Sequence, residues 1–158
     1  MQWERNVLKI LHRSGNSHFK DDQPFSIRFN LSLNKHERNC KKIIYVTTNG
    51  PESPEKATLP FKLANAGLAL DLDVVMALQG PAVYLAMPGM IPHVPDTSTS
   101  SLKQMLEVFV GSGGRLLVCI PCMEERNLKA TDLIEQAVPT LGSALTEEIL
   151  SAKATLTY

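Results

Sequence analysis

Residues 42–78 read KIIYVTTNGPESPEKATLPFKLANAGLALDLDVVMAL, and the succession of patterns within them decides the fold. KIIYVTT (42–48) is a β-branched apolar run, as expected of a strand buried on both faces. Asn49-Gly50-Pro51 breaks the run as a loop. Ser53 then precedes Pro54. Serine caps an orphan amide and proline suits the first helical position, so a helix starts here. Ala57, Phe61, Ala64 and Leu68 recur at helical spacing and predict its buried face. The helix runs to about Leu70, with a kink expected at Pro60. DVVMAL (73–78) is a second strand. A strand, a helix and a strand in such close succession make a parallel crossover unit.

The same alternation continues toward the C-terminus. Gly80-Pro81 ends the second strand, and AVYLAM (82–87) predicts a short helix stopping at Gly89. MIPHVPDTSTSS (90–101) reads as a loop. Leu102, Met105, Leu106 and Phe109 mark one face of a helix that stops at Gly111 and Gly113-Gly114. RLLVCI (115–120) is the third strand, and Pro121-Cys122 turns the chain into one or two short helices. VPTLG (138–142) predicts a brief strand, SALTEEILSA (143–152) a helix and KATLTY (153–158) a last strand. Strands alternating with helices predict an α/β fold, a mostly parallel sheet with helices on both faces. Such sheets carry their sites at the carboxyl ends of the strands.

Upstream, residues 1–42 carry nine Lys/Arg against four Asp/Glu, and residues 43–158 carry seven against twelve. We therefore divide the chain into a basic extension (1–41) and an α/β domain (42–158). Within the extension, Phe25, Ile27, Phe29, Leu31 and Leu33 alternate with polar neighbours, as in an edge strand. No basic stripe interleaves with aromatics, so no nucleic-acid partner is expected. No apolar run reaches the ~18 residues of a membrane span, and MQWERNVLKILHRSG lacks the core of a signal peptide. Three cysteines, unevenly placed, do not make a secreted disulfide framework, so a reducing cytoplasmic setting is expected.

Chemistry concentrates in RLLVCIPCMEER (115–126), where Cys119 and Cys122 join the third strand to a helix. Thiolate is the reactive form of cysteine, and an ordinary thiol with a pKa of about 8.5 is only slightly ionised at neutral pH. Lowering that pKa by about 1.5 units takes about 2 kcal/mol, whereas an exposed helix start supplies about 0.3–1 kcal/mol. A second donor is needed. Arg126 and Lys129 are nearby in sequence, while Glu124 and Glu125 oppose the shift. The two-residue spacing also permits a disulfide across the turn. The plainer reading is that a strand-end cysteine is a small apolar residue.

Zinc needs about four ligands, and one CxxC gives two. Cys40, His36 and His93 lack paired spacing and His12 and His18 read as solvent-facing, so neither metal nor cofactor is expected. The loop of His93 is long enough to reach over the strand ends. TNGPESPE could offer amides to an anion at a helix start or be an ordinary capped loop. Glycine-rich dinucleotide and phosphate loops and the Gly-x-Ser-x-Gly elbow are absent.

TTNGPESPEKATLPFKLANAGLAL, the Gly80 turn, GGRLLVCIPCMEERNL and LTEEILSAKATLTY together resemble the DsrE/DsrF-like family, with its YchN-type fold, over residues 42–158. The nearest branch is often labelled predicted peroxiredoxin, although no Thr-x-x-Cys peroxide site is present. The resemblance implies a five-stranded sheet flanked by helices, and homo-oligomers of three or six subunits. It also implies sulfur relay, with a persulfide carried on the cysteine after the third strand, Cys119, and exchanged with a donor or acceptor protein. Cys122 would then resolve the persulfide or protect the site. The alternative is a thioredoxin-like dithiol–disulfide oxidoreductase, or a scaffold with inert thiols. Placement after the third strand, not an early one, speaks against the thioredoxin arrangement.

Overall fold

The computed structural model describes residues 41–94 and 101–158. The alternating stretch at 25–33, together with His12, His18, His36 and Cys40, lies outside the described residues. Five strands form one sheet: β1 (Lys42–Thr47), β2 (Asp73–Leu78), β3 (Arg115–Cys119), β4 (Ala137–Thr140) and β5 (Ala154–Thr157). Their order is β4-β3-β2-β1-β5, and every neighbouring pair is parallel. The register sets Ile43 against Val74 and Ala154, Val75 against Arg115, and Cys119 against Thr140. The fold class read from alternating patterns is thus the one adopted.

Among the described residues, the two faces of the sheet carry different numbers of helices. On one lie α1 (Pro54–Ala69), α2 (Leu102–Gly111) and a 3-10 helix (Gly80–Ala86). Phe61 of α1 and Phe109 of α2 are fully buried there and meet edge to face, centroids 6.0 Å apart at 88°. This is the favoured arrangement for two ring quadrupoles. Leu102, Met105, Leu106 and Phe109 are all buried, as their spacing predicts. Ser101 and Gln104 close a capping box at the start of α2. On the other face, among the described residues, α4 (Gly142–Leu150) packs on Ile44, Val46, Val75, Ala77 and Leu117 through Leu145, with Ala152 beside it. A groove of about 770 Å³ stays open beside it, lined by Leu117, Ile120, Val138 and Leu141 among others.

At the amino ends of the strands an ion cluster fastens α4 to the sheet. Glu148 accepts from Lys42 Nζ at 2.8 Å and from Arg115 Nη1 and Nη2 at 2.6 and 3.0 Å. Arg115 also reaches Asp73 at 3.3 Å, and Lys42 reaches Ser151 Oγ at 2.6 Å.

Three expectations are corrected. Residues 82–86 belong to a 3-10 helix that begins at Gly80, and Met87 is already extended; this conformation is used where a run between prolines is too short for a stable α-helix. The helix after the third strand starts earlier and is shorter than read: α3 spans Ile120–Glu124. Asn127 at φ 53° takes the left-handed conformation, which a helix cannot continue. Beyond it only a 3-10 turn forms, Ala130–Asp132. Lastly, Gly142 is the first residue of α4 and not the end of β4. Among the described residues, no helix is long and apolar enough to cross a membrane.

Candidate functional site

The strand-end thiol is placed by alternation along β3. Leu116 and Val118 point to the face under α1 and α2, whereas Leu117 points to the face under α4. Alternation puts Cys119 on the α4 side. Cys119 is also the residue before the first of α3, and Pro121 is the second residue of that helix. Cys122 lies three residues on and packs at the margin of the larger core. Both thiols are free and half-buried. They sit at the carboxyl end of the sheet, as the sequence predicts.

The electrostatics differ from the expectation of an activated thiol. The Cys119 thiol is pushed up from its ordinary value, first by burial and then by the neighbouring Cys122 thiol. The Cys122 backbone amide works the other way, and the Glu125 carboxylate adds to the rise. No side-chain capping hydrogen bond forms at the start of α3. A five-residue helix has little macrodipole to offer, since the effect depends on aligned peptide units. Neither nearby cation supplies the second donor. Arg126 is engaged by the Cys122 carbonyl at 2.9 Å and by Glu125 at 3.4 Å. Lys129 is exposed.

The surroundings of Cys119 come from elements that the sequence reading did not connect with it. A cavity of about 10 Å³ is lined by Cys119, by Ala77 and Gln79 of the β2 end, and by Thr140, Leu141 and Gly142. Leu117 and Leu145 complete its apolar side. Leu141 stands at the cap of α4 and has no side chain able to accept from the first amides. The first helical amide that finds a backbone partner back at the cap is that of Leu145, bonded to the Leu141 carbonyl. The signal that could have found this was the apolar cap itself: LGS before ALTEE gives an uncapped helix start.

The TNGPESPE stretch is a self-satisfied loop. The Gly50 amide donates to the Glu52 carboxylate at 2.7 Å, and the Ser53 amide to the Gly50 carbonyl at 3.1 Å. A Cβ on Gly50 would strike the Pro81 carbonyl, so glycine lets the loop after β1 approach the start of the 3-10 helix that follows β2. His93 is exposed, at the end of a short 3-10 turn (Ile91–His93) that packs against α2.

Residues 41–158 match the family model described as the DsrE/DsrF-like family. The chain belongs to the DsrE/DsrF-like family. A relative is the uncharacterized protein MJ0989 of Methanocaldococcus jannaschii, 30% identical over 96 residues that cover 61% of this chain and 81% of the relative. The crystal structure of the YchN protein of E. coli superposes with a TM-score of 0.65 at 24% identity, covering 75% of this chain and 99% of that one. That likeness carries the DsrE-type fold, with its parallel five-stranded sheet, to this chain.

Proposed function

We propose that this DsrE/DsrF-like protein is a sulfur-relay protein that carries sulfane sulfur as a persulfide on Cys119 and exchanges it with a partner protein. The observation that carries the reading is the position of Cys119, half-buried at the carboxyl end of a central strand. In open parallel sheets that end is where ligands meet the protein. The raised thiol pKa is a modest handicap. Each unit of rise cuts the thiolate fraction about tenfold, but the remaining thiolate is about threefold more nucleophilic, so the rate falls only about threefold per unit.

In loading, the Cys119 thiolate attacks the outer sulfur of a donor hydropersulfide. A sulfur–sulfur bond forms at Cys119, the donor's sulfur–sulfur bond breaks, and the donor leaves as thiolate. In release, an acceptor thiolate takes the outer sulfur by the same exchange. Cys122 offers a second exit: its thiolate attacks Cys119, a disulfide forms, and hydrosulfide leaves. The adjacency of the two thiols also favours a second reading, a dithiol–disulfide oxidoreductase.

Intact mass after exposure to a hydropersulfide donor tests the pair. The carrier reading expects one added sulfur in the wild type, none in Cys119→Ser, and equal or longer-lived loading in Cys122→Ser. Equal loading of both variants refutes the assignment. Loss of two hydrogens without added sulfur favours the oxidoreductase.

A further inference from the structure

The cavity beside Cys119 restricts what the thiol can hold there. Its volume of about 10 Å³ matches a single water-sized atom. Ala77, Leu117 and Leu145 make one side of it apolar. On another side stand Thr140, Leu141 and Gly142, where α4 starts without a side-chain cap. These two linings suit different properties of one species. Polarizable sulfur gains dispersion energy from close apolar walls. Among the described residues no side chain caps the first turn of this nine-residue helix, and first-turn amides favour partial negative charge.

We infer that this cavity is a subsite for one terminal sulfur atom bound to Cys119, which shelters it from solvent nucleophiles; the inference rests on the carrier reading above. A tripeptide thiol attached to Cys119 does not fit the cavity and stays outside it. The subsite thereby separates a stored sulfur atom from a mixed disulfide with a small thiol by size alone. It also sets apart the roles of the two cysteines. Cys119 lines the cavity on the α4 side, whereas Cys122 packs against the opposite core.

Cyanide supplies the test, because it removes sulfane sulfur as thiocyanate: Cys119–S–S⁻ plus CN⁻ gives Cys119–S⁻ plus SCN⁻. The full chain is loaded with glutathione persulfide, and thiocyanate release is followed beside that of free glutathione persulfide. Ala77→Val adds two carbons at a residue that lines the cavity and is 1% exposed. The expected result is release at least tenfold faster from loaded Ala77→Val than from the loaded wild type. Equal rates overturn the subsite. A second measurement needs no variant. A sheltered sulfur should discriminate between cyanide and a bulky water-soluble triarylphosphine at least tenfold more than free glutathione persulfide does; equal discrimination overturns the subsite. A wild-type chain that takes up no sulfur overturns the carrier reading and the subsite together, whereas loading without sheltering overturns the subsite alone.

Discussion

Replacing Glu148 by Gln should remove the charge that holds α4 to the sheet while keeping the side chain's shape. Its carboxyl is held down to about 2 by the Arg115 guanidinium, with Lys42 assisting. Against an ordinary value of 4.5, that depression is worth at most about 3 kcal/mol. The Glu148 side chain is 22% exposed and Arg115 40%, so water screens part of it. About 2 kcal/mol is a fair expectation, between the ~0.2–1 of an open surface pair and the ~3–5 lost when a fully buried pair is broken. For a domain of this size that lowers Tm by about 6–10 °C at pH 7. The sign with pH is fixed by the direction of the shift. A depressed carboxyl stabilises fully above the unfolded value near 4.5 and loses that contribution as pH falls toward about 2. The gap between wild type and Glu148→Gln should therefore shrink to roughly half or less by pH 3. Thermal denaturation followed by far-UV circular dichroism at pH 7 and pH 3 measures both. An equal Tm loss at the two pH values would show that packing, not charge, is at work. A loss below about 2 °C at pH 7 would show a fully screened cluster.

Two further outcomes bear on the candidate site. Cys122→Ala removes one cause of the raised Cys119 thiol, so alkylation of Cys119 at pH 7.5 should quicken, and its pH–rate midpoint should move down while staying above that of a free thiol because burial remains. An unmoved midpoint would mean the two thiols do not interact. Gly50→Ala drives a methyl group into the Pro81 backbone carbonyl, which cannot swing away as a flexible side-chain end does. Unfolding by urea should show a loss of about 1–3 kcal/mol, and a loss under about 0.5 kcal/mol would mean that the loop and the 3-10 helix part easily.

What the sequence revealed follows from how local each signal was. β1, β2 and β3 were legible because apolar runs end at Asn49, Gly80 and Pro121. The helix α2 was legible because Leu102, Met105, Leu106 and Phe109 keep one period. Cys119 stood out because it closes such a run with Cys122 three residues on. The remainder of the site depends on pairing between strands. Thr140 faces Cys119 only through the register of β3 with β4, a four-residue strand with little pattern of its own. Gly142 looked like the end of that strand because glycine usually stops an element, although here it starts one. The Lys42–Glu148 contact joins residues 106 apart, and no periodicity anticipates it. The direction of the Cys119 shift was hidden for a similar reason. It is set first by burial, and burial depends on what packs over the strand end.

The ion cluster and the uncapped start lie at opposite ends of α4. Near its end Glu148 bonds Lys42 of β1 and Arg115 of β3, and Ser151 just past the helix bonds Lys42, while its first turn begins at an apolar cap beside Cys119. A helix held this way behaves as a lever with a fixed heel and a loose toe. Local opening follows the weakest attachments, so amide protection should rise along α4 from Ser143 toward Leu150. Opening of that first turn would uncover the strand-end thiol, while charges at the amino ends of the strands hold the other end in place.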